Sequence, residues 1–375
     1  MKTESIISLI AALFISGLAA HSQTNAVNQI TNISPDFSKY TDGYMSGITS
    51  GQGFAFLNNL NTTGRLLDQW ELNFSIKTGA GLNSSNTVSR DFSDNFMLTG
   101  GVPSLFGQQD AGEIIFRFLD EGTGLPLVNP FTGENLGFGL PLFPGLGLPL
   151  GIAPAVLPVL SLGVGYGTEV SLGLLPGVIK MATNGLVEGL SLNNDLIASF
   201  GARHDVFYWL PSLHEKNFSL TIGAQYSLLN LGAAITPDLI GSLSVPSSDK
   251  FEVDNNLSGF QYRSSSLGFD ALMTKKLAFL DLSLFASYNI NQYKLNSLGS
   301  LDIKITKSFY DSIEEGYDLY QLDNLIDVDK ELQKFIFGLA MQFNLGRFNL
   351  ALKAAPFSGP YYSVGLGFKI LKNKG

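Results

Sequence analysis

The sequence contains no cysteine. A disulfide-stapled scaffold and a lipoprotein anchored through cysteine are both excluded. Histidine is nearly missing too, with His21, His204 and His214 the only three in 375 residues. Charge is scarce: Asp, Glu, Lys and Arg make up 15% of the chain, against about a quarter in an ordinary soluble domain. The charges leave a formal net of −9, the sign opposite to that of a nucleic-acid binder. Past the N-terminal region, Gly and Pro interrupt every apolar stretch before it reaches the roughly 20 residues of a membrane-spanning helix. What the chain has in quantity is glycine (41), phenylalanine (28) and apolar residues generally (45%). Much apolar surface with little charge is the composition expected where the exterior faces lipid, in which charge is costly.

The N-terminus reads as a secretory signal peptide over residues 1–22. Lys2 supplies the basic end, Ile6 to Leu18 the apolar stretch, and Ala20-His21-Ser22 a cleavage site before Gln23. Residues 23–66 form a leader. Ser34-Pro35-Asp36 is a helix start, with Ser34 as N-cap and Pro35 at the first helical position. A short helix over FSKYTDGYMSGI follows, then a Gly- and Asn-rich stretch. Such a leader either hangs in the periplasm or fills a barrel lumen as a plug.

From residue 67 to 375 strict alternation dominates. Phe335, Phe337, Leu339, Met341, Phe343 and Leu345 alternate with Ile336, Gly338, Ala340, Gln342 and Asn344. The pattern restarts after Gly346-Arg347 and again after Gly359-Pro360. Successive side chains of a strand point to opposite faces, so each run has one greasy face and one small or polar face. Similar runs begin at Trp70, Phe92, Glu113, Leu160, Val170, Leu196, Phe218, Ser258 and Leu277. Connections near 100–110, 166–168, 210–216, 275–276 and 346–347 are short, whereas those near 81–91, 120–154, 177–193, 231–257 and 291–331 are mostly longer. Roughly ten-residue alternating segments joined by short turns on one side and long loops on the other are the signature of a transmembrane β-barrel. The pattern predicts an all-β, antiparallel barrel of about 12 strands, or about 14 if the weaker segments 53–59 and 298–306 join, with both termini on the periplasmic side.

Residues 120–154 stand apart. They are rich in Gly, Pro and Leu and show neither period; the prolines argue against a central strand and a regular helix. Yet the segment is strongly apolar, which an exposed loop ordinarily is not. Leu140, Leu142, Phe143, Leu146 and Leu148 are the candidate ligand-binding residues, an apolar collecting surface at the extracellular end.

The terminal strand YYSVGLGFKI, the hairpin GYGTEVSLGLLP and the segment FGARHDVFYWLP resemble outer-membrane barrels of the Bacteroidetes type. More distantly, barrel size, leader and apolar loop are similar to the long-chain fatty-acid transporter family. That resemblance implies a fourteen-stranded barrel with an N-terminal hatch and uptake of hydrophobic molecules. Many such barrels end on an aromatic residue, whereas here Phe368 is followed by KILKNKG.

Catalytic chemistry is thin. His204-Asp205 could form a dyad or a metal pair, but no G-x-S-x-G accompanies it, and a charged cluster at the periplasmic rim is the simpler reading. Asp327, Asp329 and Glu331 alternate, yet they lack the glycine-centred twelve-residue calcium loop and read as a solvated loop. The G-x-G triplets lie inside strands and supply small inward residues, not phosphate cradles. The expectation is a non-enzymatic protein without cofactor or metal, located in the outer membrane of a Gram-negative bacterium. It acts as a passive transporter or pore for small hydrophobic molecules. Its partners are outer-membrane lipid and a small hydrophobic ligand, with no nucleic acid, and it is monomeric. The alternative is a structural or secretion-associated barrel that binds protein partners through its extracellular loops.

Overall fold

The computed structural model describes residues 29–30, 33–46, 60–61, 64–82, 92–100, 112–120, 123–128, 135, 137–141, 152–175, 190–210, 212, 217–235, 251–306, 316–356 and 361–371. Among the described residues a helix, α1 (Ile33–Tyr44), precedes sixteen strands. Ten of them close into a barrel: β1 (Leu72–Leu82), β5 (Ile152–Gly165), β6 (Thr168–Leu175), β7 (Leu190–Asp205), β8 (Phe218–Ile235), β10 (Gly259–Lys276), β11 (Leu280–Leu298), β14 (Asp327–Leu345), β15 (Phe348–Ala355) and β16 (Tyr361–Leu371). Every neighbouring pair is antiparallel, and β1 pairs with β5 on one side and β16 on the other, so no edge remains. Among the described residues no helix is long and apolar enough to cross a membrane.

The barrel holds fewer strands than the alternation suggests. The runs near 92–99 and 113–119 are β2 (Phe96–Thr99) and β3 (Glu113–Arg117), which join β4 (Gly137–Pro141) in a separate three-stranded sheet. The run near 298–306 is β12 (Leu301–Thr306), held between β9 (Phe251–Asn255) and β13 (Tyr317–Leu322). These strands have four to six residues, too few for the 9–11 or so that a tilted spanning strand needs. Segment 53–59 lies outside the described residues.

Both small sheets grow out of the β1–β5, β8–β10 and β11–β14 connections, at the end we call the loop end. The opposite, turn end carries the short links. Tyr166 and Gly167 both have positive φ (51° and 66°), as a two-residue hairpin turn with strand-matched twist requires. Gly346, at φ 68°, starts the β14–β15 turn. The β10–β11 turn lies at 277–279, because Lys275 and Lys276 still pair in the ladder with Leu282 and Asp281. Prolines enter the barrel after all: Pro154 and Pro158 sit in β5. Over that stretch β5 pairs only with β1, the β5–β6 ladder beginning at Val159. A proline nitrogen facing an unpaired edge removes no rung.

The two parities face opposite ways. On β11, Leu282, Leu284 and Tyr288 are exposed outward, while Asp281, Ser283, Ser287 and Asn289 are buried inward. On β14 the outward row is apolar from Phe335 to Leu345 and polar above it, at Asp327, Asp329, Glu331 and Gln333. Eleven residues at about 3.3 Å each and a tilt near 40° make a belt of about 28 Å, close to the apolar band of about 25 Å on membrane barrels. Leu284 (60% exposed), Leu339 (61%) and Leu366 (63%) belong to it, a continuity of apolar surface that a water-facing exterior does not carry. Exposed aromatics border it. Trp70, Tyr166, Tyr208, Trp209 and Phe348 lie at the turn end, and Phe200, Tyr226, Phe269, Tyr288 and Phe335 toward the loop end, as in the aromatic girdles of membrane barrels.

Leu284→Arg should therefore lower folding stability in lipid vesicles by about 2–4 kcal/mol, read from urea titrations. Ser283→Arg, one residue along, should act instead by crowding Thr274, whose hydroxyl lies 2.7 Å from that of Ser283. A Leu284→Arg barrel as stable as wild type would show that the faces are assigned the wrong way round.

Candidate functional site

The site is the lumen, and it contains the leader. Helix α1 places Ile33, Phe37, Tyr40 and Tyr44 on one buried face, a spacing of four, three and four that makes a helical stripe. Its rings meet in sequence, Phe37 edge-on to Tyr40 at 5.9 Å and Tyr40 stacked on Tyr44 at 6.1 Å between centroids. The helix sits in the barrel mouth at the loop end. The Ser34 hydroxyl donates to the Asn324 carbonyl (2.7 Å), the Asp327 N–H donates to Ser38 Oγ (3.0 Å), and Tyr293 Oη donates to Asp42 (2.7 Å). Lys330 also pairs with Asp42. On the other side the Ser93 hydroxyl donates to Asp36, and Gln29 donates to the Leu119 carbonyl (2.6 Å). Toward the loop end the inner wall carries buried apolar residues, Ile197, Leu229, Phe260 and Leu295.

The turn half of the lumen is polar. Hydroxyls meet directly across neighbouring strands, Ser161 with Ser171 (2.8 Å), Ser199 with Ser227 (2.7 Å) and Thr274 with Ser283 (2.7 Å). Through this layer runs the strap, residues 60–61 and 64–68. Lys77 donates to the Leu60 carbonyl and Lys353 to that of Asn61 (3.1 Å). Asn61 Nδ2 donates to Asp270 Oδ1 (2.7 Å). Ser219 and Thr221 both donate to the Gly64 carbonyl, at 3.3 and 2.9 Å. A Cβ on Gly64 would lie 2.0 Å from Thr274 Oγ1, so only glycine lets the strap lie this close to the wall. The described leader thus descends from the loop end to the turn end, where residue 72 opens β1. It is the strand ends, not the leader's far end, that share the turn end.

Two ion pairs lock the lower strap. Arg65 Nε and Nη2 donate to the two carboxylate oxygens of Asp281, at 2.6 and 2.7 Å. That bidentate bond raises the Arg65 pKa above its ordinary value, against the opposing effect of burial. Asn344 Nδ2 gives Asp281 a further donor at 2.8 Å. Beside it, Arg203 Nη2 reaches Glu169 Oε1 at 2.7 Å, and the Leu67 N–H reaches Glu169 Oε2 at 3.0 Å. Between strap and wall remains a polar cavity of about 40 Å³ lined by Arg65, Asn73, Ser75, Glu169, Arg203 and Gln342 among others, room for about one or two waters. Higher on the wall Gln225 and Asn289, both buried, have amide atoms without a protein hydrogen bond; buried amides of this kind are ordinarily completed by water.

The residues singled out from the sequence fare differently. Leu140 lies in β4, its backbone opposite Ile114. Leu142, Phe143, Leu146 and Leu148 lie outside the described residues. His204 is no half of a catalytic dyad with Asp205: Nδ1 lies 3.0 Å from Thr168 Oγ1, and Nε2 accepts from Trp209 Nε1 at 2.9 Å. Asp205 instead caps the 3-10 turn Val206–Trp209 through the Phe207 N–H. Asp329 pairs with Lys294 at 2.7 Å, and Glu331 accepts from Gln292 and Gln333. Among the described residues no three metal-ligating side chains converge. Sequence reasoning missed the lumenal charges, Lys77, Glu169, Arg203, Asp270, Asp281 and Lys353. Their signal was available, because each lies on the small, inward parity of a barrel strand, where an unpaired charge is costly.

Arg203 and Glu169 are 8% and 2% exposed. Arg203→Met should thus cost about 3–5 kcal/mol, because a buried carboxylate loses its partner. Adding Glu169→Gln should restore part of that loss in the same denaturant titration. Equal stability of Arg203→Met and wild type would mean that the pair is solvated.

No curated protein matches the sequence. Among solved structures the chain is similar to the translocator domain of the autotransporter NalP from Neisseria meningitidis, at 8% identity over 80% of this chain and 87% of that one, TM-score 0.28. It is likewise similar to the outer-membrane protease OmpT from Escherichia coli, at 7% identity over 80% and 97%, TM-score 0.29. A third likeness is to a major outer membrane protein from Thermus thermophilus, at 10% identity over 80% and 99%, TM-score 0.20. Superpositions this loose add nothing to what the barrel's own geometry shows. At the level of sequence, a family model matches residues 1–370, and the chain belongs to that family, DUF6588, a family of unknown function.

Proposed function

We propose that the protein is an outer-membrane β-barrel of a Gram-negative bacterium, exported by a signal peptide cleaved after Ser22. Its lumen is closed at rest by its own leader, and it passes small hydrophobic molecules when the leader shifts. The observation that carries this reading is the division of the lumen. The loop half carries buried apolar wall residues, Ile197, Leu229, Phe260 and Leu295, and the helix α1 with its buried apolar face. The turn half holds a strap tied by hydrogen bonds and ion pairs that water can replace. An aqueous pore has no use for the first, and a permanent plug would be packed, not hydrogen-bonded, in the second. Leu140, Leu142, Phe143, Leu146 and Leu148 serve in this reading as the collecting surface outside. No step calls for catalysis, and we take the protein to be a non-enzyme.

A second reading is favoured by the two small sheets. They turn loops into fixed structure with buried residues of their own, Phe96, Ile114 and Phe116 in one and Leu301 and Ile303 in the other. A scaffold that presents a binding platform would be built this way.

Conductance separates the two. Wild-type barrel in planar bilayers should be silent, whereas Gly64→Val with Arg65→Ala should open steps, because the strap no longer fits its groove. Cells carrying that variant should also take up more N-phenylnaphthylamine, and Leu142→Asp with Leu146→Asp should lower the gain. A barrel that opens to ions yet leaves apolar uptake unchanged would favour the scaffold.

Orientation can be read directly, since the chain has no cysteine of its own. Lys39 on α1 is 60% exposed, and Lys39→Cys should react with a membrane-impermeant maleimide on intact cells. Labelling only after the outer membrane is broken would place the loop end inside.

A further inference from the structure

The outer wall carries a pair of cations where the apolar belt ends. Arg263 on β10 and Lys294 on β11 are direct cross-strand partners, and both are exposed on the outward parity. Like charges directly opposite each other destabilise a strand pair, so an arrangement of this kind asks for an anion. Lys294 has one, Asp329 at 2.7 Å on the next strand. No carboxylate pairs with Arg263 among the described residues. The nearby acid Glu331 is occupied by the amides of Gln292 (2.9 Å) and Gln333 (2.7 Å).

These residues line a surface groove of about 720 Å³, whose wall includes Leu228, Arg263, Ser265, Gln292, Lys294 and Glu331. The groove is amphipathic in the direction of the barrel axis. One outward step toward the turn end from Arg263 is Ser265, opposite Gln292 and Leu228. The next is Leu267, opposite Ile290 and Tyr226. A headgroup held at Arg263 would therefore have its hydrocarbon lying on Leu228 and Leu267, at the upper border of the belt.

We propose that this groove binds the phosphate-bearing headgroup of a membrane lipid. Arg263 would grip two phosphate oxygens through its planar fork, as guanidinium does and ammonium cannot. Lys294 would add charge, and the Ser265 hydroxyl and Gln292 amide would complete the hydrogen bonds. The occupant is a lipid and not a soluble protein because the groove is continuous with the lipid-facing belt. The inference rests on the membrane reading given above.

The test uses the full-length barrel in dodecyl-maltoside micelles with three probes: fluorescent phosphatidylglycerol, fluorescent diacylglycerol and inorganic phosphate. Phosphatidylglycerol should bind saturably, and diacylglycerol at least tenfold more weakly. Arg263→Ala should weaken the phospholipid at least tenfold, with Arg263→Lys recovering part, because charge without the fork remains. Lys294→Ala should weaken it less. Unchanged binding in Arg263→Ala, or equal binding of diacylglycerol, would overturn the site. Inorganic phosphate binding as tightly as the lipid would assign the groove to the free ion and equally overturn it. Heat-modifiable mobility on gels and insertion into vesicles are measured for every variant. Failure of wild type to insert defeats the membrane reading itself, whereas normal insertion with Arg263-independent binding defeats only the lipid site.

Discussion

When Leu72 to Gly81 pair with Leu371 to Tyr361, the last two edges of a ten-stranded sheet disappear. In hydrocarbon every backbone N–H and C=O must find its partner within the protein, and a closed ladder is the only β solution. Closure then dictates the rest. A strand has two faces, and a barrel sends one to lipid and one to the lumen. The outer face takes the Phe and Leu of the sequence. The inner face takes its Ser, Gly and Ala, because side chains converge there. Eight strands leave an interior that side chains can fill, and sixteen leave an aqueous channel. Ten falls between, and this chain fills the difference with its own residues 29–30, 33–46, 60–61 and 64–71.

Filling a lumen with backbone creates a second constraint. A strap in the interior brings polar groups that no ladder satisfies. Glycine at position 64 brings the strap against the wall, and Ser219 and Thr221 then reach its carbonyl. Lys77 and Lys353 do the same for Leu60 and Asn61. Those cations require anions, which Asp270 and Glu169 supply from the wall. Desolvating such charges costs several kcal/mol per ion, so the pairs specify where the strap lies more than they stabilise it. A strap held by Leu and Phe would be fixed. One held by polar contacts is what the proposed opening calls for, because water can take the place of each contact.

Much of this was legible in the sequence, for a physical reason. Period-two alternation is imposed by the pleat, so β8, β10, β11 and β14 could be read together with the direction each residue faces. The short turns at 166–168 and 346–347, which are local, could be read as well, whereas the one read at 275–276 lies at 277–279 and the connection near 100–110 joins β2 and β3 of the separate sheet. Strand number could not, because alternation does not report whether a strand is long enough to span. Glu113–Arg117, with its alternating burial, and Leu301–Thr306 show the same period as their neighbours, yet they pair outside the barrel. Pro154 misled in the opposite sense, since nothing local says that the β5–β6 ladder ends before reaching it. The strap was least legible. Asn61 meets Asp270, and Arg65 meets Asp281, across more than 200 residues, and no periodicity announces such contacts. Only the inward parity of Lys77, Arg203 and Asp281 hinted that something charged lay opposite.

Charge follows the same partition. Residues 236–258 hold four acids and one base, and residues 299–331 nine acids and three bases. These two stretches contain the whole net charge of −9, so the remainder of the chain is neutral. The lipid-facing wall excludes charge, and the lumen tolerates it only in compensated pairs, so the excess is driven to the loop end, where water is. In that acidic surrounding Lys304 is held above its ordinary pKa by hydrogen bonds to Asp254 and Glu252, and Lys330 by geometry belongs to Asp42. Arg263 is different. It sits below the acidic loops, at the border of the apolar belt, and among the described residues it keeps no carboxylate of its own. The pairing of Lys294, Lys304 and Lys330 around it makes this lone cation the exception, and it is that exception which the proposed lipid headgroup would complete.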